Sequence, residues 1–496
     1  MRIPIEAIFL REAEAPTLQG RLAAAVVRAI LESRARPGTL LPSSRKLAQA
    51  LGMSRMTVTL VYQELVSLGY LETRPRSGIA VAATVPHRRL RLEEFKGQRT
   101  DAETAGSPPD WQSWLSDQSS PRRVIRKPPD WQSYLYPFIY GQPDPVLFDH
   151  NAWRDCARRA LGTRDFGELA ADRYGSDDPL LIDYICSNTL PRRGITARPD
   201  QVLVTLGAQN GLFLATELLS RADRLAVAEE PGYPDFAETL RRAHSPTTFL
   251  PVDQMGLNPD QLPDNARLVI VTPSHHIPTG ATMPLERRHE LIRRAAAQDF
   301  LIIEDDYDFE MSYLAPPAPA LKSLDPGGRV IYLGSFSKSL FPGLRIGYMV
   351  APPELIARAR ALRSIMLRHP PSHLQRITAY FLALGHYDAH IARLRQAFKQ
   401  RREILEQALD RHGLQIAGAP AAGGSSVWIR GPDGSDSTAL ALALRPDSVL
   451  IEPGAVFFEK PAEPCAYFRL GYGTIADIAI PEGIRRIAAR IRRMRF

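Results

Sequence analysis

The chain has 496 residues, 44% of them hydrophobic and 23% charged, which is ordinary for a globular protein of two or three domains. No apolar run is long enough to span a bilayer, and the start, "MRIPIEAIFLREAEAPT", lacks the pattern of a secretory signal. The three cysteines, Cys156, Cys186 and Cys465, lie far apart and indicate neither a disulfide framework nor a metal site. We therefore expect a cytoplasmic protein with no membrane partner and no bound metal.

The net charge of +8 is concentrated in the first quarter of the chain. Residues 1–83 carry +5 and residues 84–128 carry +3, so the remainder is neutral. This asymmetry indicates an anionic partner for the N-terminal part, and nucleic acid fits best. A solvated basic surface would give the same count, so charge alone leaves both interpretations open.

The N-terminal segment predicts three helices followed by a strand, a turn and a strand. The predicted N-caps are Thr17, Ser43 or Ser44, and Ser54, and Gly52 ends the second helix. Apolar residues at helical spacing form the predicted buried stripes. These are Leu22, Val26, Ala29 and Ile30 in the first helix, Leu47, Ala48 and Leu51 in the second, and Val58, Val61, Tyr62, Leu65 and Leu68 in the third.

Two short capped helices joined by a tight turn predict a helix-turn-helix, with the third helix as the reader of DNA. The stretch "PGTLLPSSRKLAQALGMSRMTVTLVYQELVSLGYLETRPRSGIAV" resembles the winged helix of GntR-type bacterial regulators. This resemblance implies that Arg45, Arg55, Thr57 and Arg76 contact double-stranded DNA.

A polar segment rich in proline and serine follows the winged helix and predicts a tether. We place the winged helix-turn-helix at 15–83, a flexible linker at 84–135 and a large domain at 136–496. Within the linker, "PPDWQSWL" at 108–115 recurs as "PPDWQSYL" at 128–135. The first copy either docks its tryptophans on a surface or is a duplication without a function.

The large domain alternates short apolar runs with helical segments. The runs are "QVLVT", "RLAVA", "RLVIV", "FLIIED" and "RVIYL". This alternation predicts an α/β fold with a mostly parallel sheet covered by helices on both faces. Because ligands bind at the carboxyl ends of such strands, the five loops that follow these runs should line one site.

Those loops read "LGAQNGL", "EEPGYPD", "TPSHHIPTG", "EDDYDFE" and "GSFSKSLFPGLR". They combine backbone N–H groups, an aromatic ring, a carboxylate, serines, an arginine and one lysine, Lys338. Pyridoxal 5'-phosphate needs this set of groups. The amine forms a Schiff base and the carboxylate keeps the pyridine nitrogen protonated. The N–H groups, hydroxyls and arginine hold the phosphate.

The spacing of "SFSK" and "PGLRIGY" is typical of fold-type I pyridoxal phosphate enzymes, the aspartate aminotransferase class, which residues 136–496 resemble. The resemblance implies three catalytic residues: Lys338 forms the internal aldimine, Asp305 pairs with the pyridine nitrogen, and Tyr307 bonds the ring hydroxyl. It also implies that Tyr233 stacks on or flanks the ring.

Further roles follow from the same resemblance. Tyr174 would reach the phosphate of the neighbouring subunit, and Arg469 would bind the carboxylate of a substrate or effector. The implied phosphate-binding residues are Ala208, Gln209, Ser335, Ser337 and Arg345.

Two features depart from the aminotransferase pattern. Ile277 stands where the family's "NPTG" has asparagine, so His275 or His276 replaces the lost hydrogen bond or nothing does. Asp177 and Asp178 crowd the turn after "YG". Both departures argue against efficient turnover but not against cofactor binding.

A GntR-type winged helix joined to an aminotransferase-like domain is the architecture of the MocR (GabR-like) regulators. This resemblance implies a transcription factor, assembled as a head-to-tail homodimer, that senses an amino acid, an amine or the cofactor itself through Lys338. The alternative is a working aminotransferase with an appended DNA-binding domain. A scaffold that binds no cofactor is disfavoured because Lys338, Asp305 and Arg345 are all present.

Overall fold

The computed structural model describes residues 3–5, 8, 10, 15, 17–32, 34–74, 78–85, 109–115, 122–142, 144–418 and 422–494. The chain divides after Leu115 into two compact units, called unit 1 and unit 2. The domain bounds given above stay predictions.

Unit 1 contains the winged helix-turn-helix that the sequence predicts. Its elements are α1 (Leu18–Leu31), α2 (Ser44–Leu51), α3 (Arg55–Ser67), β1 (Leu71–Arg74), β2 (Gly78–Val81) and the short α4 (Trp111–Trp114). The two strands pair antiparallel.

The local chemistry of unit 1 agrees with the predicted caps. The hydroxyls of Thr17, Ser43 and Ser54 each accept a hydrogen bond from a backbone N–H three residues further along the chain. Gly52 ends α2 in the left-handed conformation, with a φ of 63°. Leu68, predicted to be buried, is 54% exposed. That prediction is wrong because α3 ends before Leu68, which serves as its C-cap.

Unit 2 is an α/β structure, as predicted. Its strands are β3 (Tyr136–Pro137), β4 (Val202–Thr205), β5 (Leu225–Glu230), β6 (Thr247–Asp253), β7 (Gly256–Leu257), β8 (Ala266–Val271), β9 (Leu301–Asp306), β10 (Val330–Ser335), β11 (Gly347–Val350), β12 (Gln415–Ile416), β13 (Ser426–Arg430), β14 (Val449–Leu450), β15 (Glu452–Pro453) and β16 (Tyr467–Gly471). Its helices are α5 (His150–Ala160), α6 (Thr163–Leu169), α7 (Pro179–Tyr184), α8 (Gly207–Leu219), α9 (Pro234–Arg242), α10 (Leu285–Gln298), α11 (Pro353–Leu367), α12 (Ser372–Ala383), α13 (His386–His412), α14 (Ser437–Leu444) and α15 (Ile480–Arg493).

The main sheet has the strand order β4-β11-β10-β9-β8-β5-β6-β7. The five predicted runs are β4, β5, β8, β9 and β10. Strand β5 pairs with β8, β8 with β9 and β9 with β10, and all three pairs are parallel. Strand β11 is antiparallel to both β10 and β4, so β4 runs in the same direction as β10. The carboxyl ends of all five strands therefore meet at one edge, together with the amino end of β11.

Helices cover both faces of this sheet. On β9, Ile302 belongs to one buried cluster with Leu291 of α10, whereas Ile303 belongs to another with Leu212 of α8. Successive side chains of a strand point to opposite faces, so a continuous apolar run is what a doubly covered sheet requires.

A second sheet has the order β12-β13-β16-β15 and is antiparallel throughout. Its register places Glu452 of β15 directly opposite Arg469 of β16. Among the described helices of the chain, none is long and apolar enough to cross a membrane.

The two copies of the repeat differ in local structure. The first forms α4 in unit 1, where Trp111 and Trp114 are exposed. The second forms a 3-10 turn at Trp131–Ser133 in unit 2, with the Lys127 ammonium 5.2 Å from the ring centroid of Trp131.

A buried arginine anchors the end of β9. Arg193 Nε donates to Asp306 Oδ2 at 2.7 Å, and its terminal nitrogens donate to Ser274 Oγ and to the carbonyl of Ala318. Burial acts to raise the pKa of Asp306, but Arg193, Ser274 and Tyr332 keep that pKa below its ordinary value. Asp306 is therefore ionised, and its charge depends on Arg193.

Replacing Arg193 should destabilise unit 2. Arg193→Ala would leave the Asp306 charge buried without a partner, which costs about 3–5 kcal/mol of unfolding free energy. The adjacent Arg192 forms an exposed pair with Asp388, and Arg192→Ala should cost only about 0–1 kcal/mol. Urea unfolding followed by circular dichroism measures both. Equal losses of unfolding free energy in the two variants would contradict the assignment of Arg193 as the partner of a buried charge.

Candidate functional site

A cavity of about 250 Å³ lies at the carboxyl edge of the main sheet in unit 2. The structure brings ten predicted site residues together in its lining: Ala208, Gln209, Tyr233, Asp305, Tyr307, Ser335, Ser337, Lys338, Arg345 and Arg469. Tyr174 does not line it. That ring is half exposed and faces Arg368, and its contact with a neighbouring subunit stays a prediction.

Lys338 lies three residues past the end of β10, with its Nζ 4.7 Å from the ring centroid of Tyr140. Protein surrounds the amine on most sides, although solvent reaches the side chain through the open cavity. Burial and then the positive charge of Arg469 lower the pKa of Lys338 to about 8. A larger fraction of this amine is therefore neutral near physiological pH than for an ordinary lysine.

The space beside the Lys338 amine requires a glycine. Gly141 has a φ of +74°, and a Cβ at this position would lie 2.9 Å from Lys338 Nζ. Side chains rarely adopt this backbone conformation, so the glycine provides both the turn and the room for the amine.

Asp305 carries a buried carboxylate oxygen, Oδ1, that has no hydrogen-bond partner among the described residues. Burial and then the charge of Asp306 raise the pKa of Asp305 to about 7. A buried polar atom without a partner costs free energy, so Asp305 is arranged to receive a donor from the cavity. The protonated nitrogen of a pyridine ring is such a donor.

An anion cradle lies at the start of α8. This helix has no side-chain cap, so the N–H groups of its first turn, at Ala208 and Gln209, are available to a ligand. Arg345 reaches the same place, where one terminal nitrogen donates to the carbonyl of Leu206 at 2.9 Å. A Cβ on Gly347 would lie 2.7 Å from the backbone of Gly207, so this glycine lets β11 approach the start of α8.

Two tyrosines complete the ring-binding part of the cavity. The Tyr307 hydroxyl donates to the carbonyl of His275 at 2.8 Å, and the Tyr233 hydroxyl donates to Asp235 Oδ2 at 2.9 Å. Each hydroxyl oxygen can still accept a hydrogen bond from a ligand.

Neither histidine of "SHHIPTG" replaces the missing asparagine. His275 Nδ1 bonds Asp308 Oδ1 at 2.8 Å, and His276 Nδ1 bonds Thr279 Oγ1 at 2.8 Å. Neither ring lines the cavity, whereas Ile277 does. The geometry therefore agrees with the alternative in which no residue replaces the hydrogen bond of the family's asparagine.

Arg469 is buried between two aromatic rings, with its guanidinium carbon 4.3 Å from the Tyr140 centroid and 4.8 Å from the Phe457 centroid. Its Nε donates to Glu452 Oε2 at 2.7 Å. Its two terminal nitrogens donate to no group in the described part of the chain. They can therefore hold a carboxylate or a similar anion in a bidentate manner.

Leu212 belongs to the predicted loop "LGAQNGL" but was not singled out. The other site residues that the sequence did not reveal come from distant parts of unit 2: Ile125, Lys127, Tyr140, Gln142 and Glu452. Glu452 could have been found only from the pairing of β15 with β16. Tyr140, Ile125 and Lys127 belong to no recognised loop motif.

The predicted DNA-binding residues lie in unit 1. Arg55, at the start of α3, and Arg45, on α2, are exposed. Thr57 is half-buried, and its hydroxyl bonds the Ser54 hydroxyl at 2.8 Å, so it also belongs to the cap of α3. Arg76 lies outside the described residues.

The groups that line the cavity fit pyridoxal phosphate. The unpartnered Asp305 oxygen suits the ring nitrogen, the uncapped start of α8 and Arg345 suit the phosphate, and Lys338 supplies the amine. No described side chain would have to be displaced from a hydrogen bond to accept these three groups.

Comparisons with known proteins agree with this reading. Residues 18–81 match bacterial regulatory proteins of the gntR family, and residues 180–480 match aminotransferase class I and II. The HTH-type transcriptional regulator TauR of Rhodobacter capsulatus is 51% identical over 99% of this chain and 100% of its own length. The probable rhizopine catabolism regulatory protein MocR of Rhizobium meliloti is 31% identical over 92% of this chain and 90% of its own.

Solved aminotransferases share the fold of unit 2. Kynurenine aminotransferase of Pyrococcus horikoshii has a TM-score of 0.68 at 25% identity, covering 77% of this chain and 98% of its own. LysN, the α-aminoadipate aminotransferase of Thermus thermophilus, has a TM-score of 0.69 at 25% identity, with the same two coverages. The chain therefore belongs to the MocR (GabR-like) subfamily of GntR transcriptional regulators, which join a winged helix-turn-helix to an aminotransferase-like domain.

Proposed function

We propose that this DNA-binding regulator senses an amino compound, or pyridoxal phosphate itself, at Lys338, and that it acts in the cytoplasm as a homodimer. The cofactor is pyridoxal 5'-phosphate. The observation that carries this function is the cavity in which an amine of lowered pKa, Lys338, faces an unpartnered buried carboxylate, Asp305. Unit 2 shares the fold of the LysN structure, which holds N-(5'-phosphopyridoxyl)-L-leucine.

Each group of the cavity has a distinct part in binding. Bound pyridoxal phosphate supplies an aldehyde carbon that amines attack reversibly and a ring that accepts electrons. Lys338 provides the resident amine, and Asp305 holds the proton at the pyridine nitrogen. The start of α8 and Arg345 hold the phosphate.

The effector is an amine that also carries an anionic group. Its anionic group would bind the terminal nitrogens of Arg469, and its amine would compete with Lys338. When the effector displaces Lys338, the freed amine can hold or release a proton, because its surroundings in the cavity lower its pKa from that of an ordinary lysine. The effector alters DNA binding only through different affinities for two arrangements of the protein.

The homodimer, with a head-to-tail arrangement, would present two winged helices to the two half-sites of an operator. An aminotransferase with an appended DNA-binding domain is the other outcome to be tested. Ile277 in the cavity does not favour it, since no described side chain supplies the amide's hydrogen bond.

Removing the resident amine tests the function. Lys338→Ala should abolish the visible absorption of the bound cofactor and the response of operator affinity to amino acids, with basal operator binding retained. Lys460→Ala, at an exposed lysine, should preserve all three. Visible absorption spectroscopy and fluorescence anisotropy with operator DNA measure these three properties, and a keto-acid assay tests for turnover. Repeated formation of keto acid by the wild-type protein would establish the enzyme instead.

Cofactor capture by the apoprotein should depend on pH. The neutral amine is the nucleophile, so the rate should rise with pH around a midpoint of about 8, the pKa of Lys338. Arg469→Gln removes a positive charge that lowers this pKa, and the midpoint should move upward. Arg430→Gln, on the neighbouring β13, should leave it unchanged. Stopped-flow absorbance provides the rates. A midpoint that is the same in Arg469→Gln as in the wild-type protein would contradict the electrostatic account.

Operator binding should depend on the start of α3. Arg55→Ala should weaken binding and reduce the slope of log affinity against log salt by about one for each bound winged helix. Lys399→Ala, at an exposed lysine of α13, serves as the control. An unchanged slope for Arg55→Ala would show that this side chain does not contact a phosphate.

A further inference from the structure

Two residues that line the cavity come from the segment predicted to be linker. They are Ile125 and Lys127, in the stretch "RVIRK" at 123–127, which we call the strap. The strap precedes the aminotransferase-like region along the chain and follows the winged helix. It therefore combines a place in the cavity wall with a place in the covalent connection to the DNA-binding unit.

Contacts with distant residues of unit 2 hold the first end of the strap. The Arg123 guanidinium lies 2.6 Å from Glu459, and its backbone N–H donates to Glu238 Oε1 at 3.3 Å. At the other end, the Lys127 ammonium lies over the ring of Trp131. The Lys127 contact is local, since Trp131 lies four residues further along the chain, and the place of the strap in the cavity wall is given by Ile125 and Lys127.

The centre of the strap contacts the ring-binding residues. Ile125 packs against the apolar cluster that contains Ile277 and Tyr307, and Tyr233 packs against the same cluster. Ile277 and Tyr307 also line the cavity, so the strap and the bound molecule share one wall.

The charges of the cavity leave one positive charge for the effector. Arg345 and Asp305 are matched by the phosphate and the ring nitrogen of the cofactor, which leaves Arg469, Lys127 and Glu452. Lys127 is exposed at the cavity, which Glu452 also lines. Partial burial lowers the pKa of Lys127, and the negative charge of Glu452 opposes that shift. Glu452 also bonds Arg469, and one carboxylate therefore serves two cations.

We propose that Lys127 is an effector-binding residue that, together with Arg469, holds the anionic group of the effector and thereby fixes the strap to the cavity. This inference rests on the proposed function and extends it, because it places part of the predicted linker in the effector site. Occupancy of the cavity would then change how firmly the connection to the winged helix is held.

Matched ligands test the charge requirement. The cofactor-loaded full-length protein is titrated with glycine and β-alanine, and with glycinamide and β-alaninamide, which lack the carboxylate. Visible absorption reports binding. In Lys127→Gln the affinity for the two amino acids should fall about tenfold, the loss expected for one charge-assisted hydrogen bond, with the amides unaffected. Lys127→Arg should restore the affinity. Arg126→Gln, at an exposed neighbour outside the cavity lining, should match the wild type.

Proteolysis tests whether the ligand fixes the strap. β-Alanine should slow tryptic cleavage after Arg126 in the wild-type protein and should not do so in Lys127→Gln. Unchanged amino-acid affinity in Lys127→Gln would overturn the proposal, and so would equal losses for amino acids and amides. A wild-type protein that responds to none of these four ligands would also overturn this inference, and it would leave pyridoxal phosphate as the compound sensed in the proposed function.

Discussion

The site depends on two adjacent carboxylates at the end of β9. Successive side chains of a strand point to opposite faces, so Asp305 and Asp306 cannot share one environment. Asp306 accepts hydrogen bonds from Arg193 and the Tyr332 hydroxyl through Oδ2, which keep it ionised, and it does not line the cavity. Asp305 faces the cavity with one oxygen unpartnered. Because Arg193 engages Asp306 away from the cavity, Asp305 is the carboxylate of this pair that is presented to a ligand.

The electrostatics of the rest of the cavity depend on charged side chains that lie close together and are partly shielded from solvent. Lys338 has a lowered pKa because protein surrounds its amine on most sides and Arg469 lies nearby, and Arg469 is itself held by Glu452. A cofactor phosphate at Arg345 and an effector anion at Arg469 would each neutralise a cation of the cavity, and Arg469 is the one whose charge lowers the pKa of Lys338. Binding and protonation are therefore coupled, which is the physical basis on which a binding event can be sensed.

Much of this arrangement could be predicted from the sequence, because it depends on local signals. The five apolar runs are strands, the residues at their carboxyl ends line one cavity, and Ser43 and Ser54 cap their helices. Other features depend on contacts between distant residues. Glu452 meets Arg469 only through the register of β15 and β16. Lys127 lies in a polar, proline-rich stretch with no periodicity, and its composition indicates nothing about its place in the cavity.

The central claim is that this cavity holds pyridoxal phosphate on one particular lysine, although it contains two. The most direct test is to load the full-length protein with the cofactor, reduce it with borohydride and map the modified peptide by mass spectrometry. We expect the modification on Lys338, in the peptide that contains "GSFSK", and none on Lys127. A modification on Lys127, or no modified peptide at all, would contradict the account.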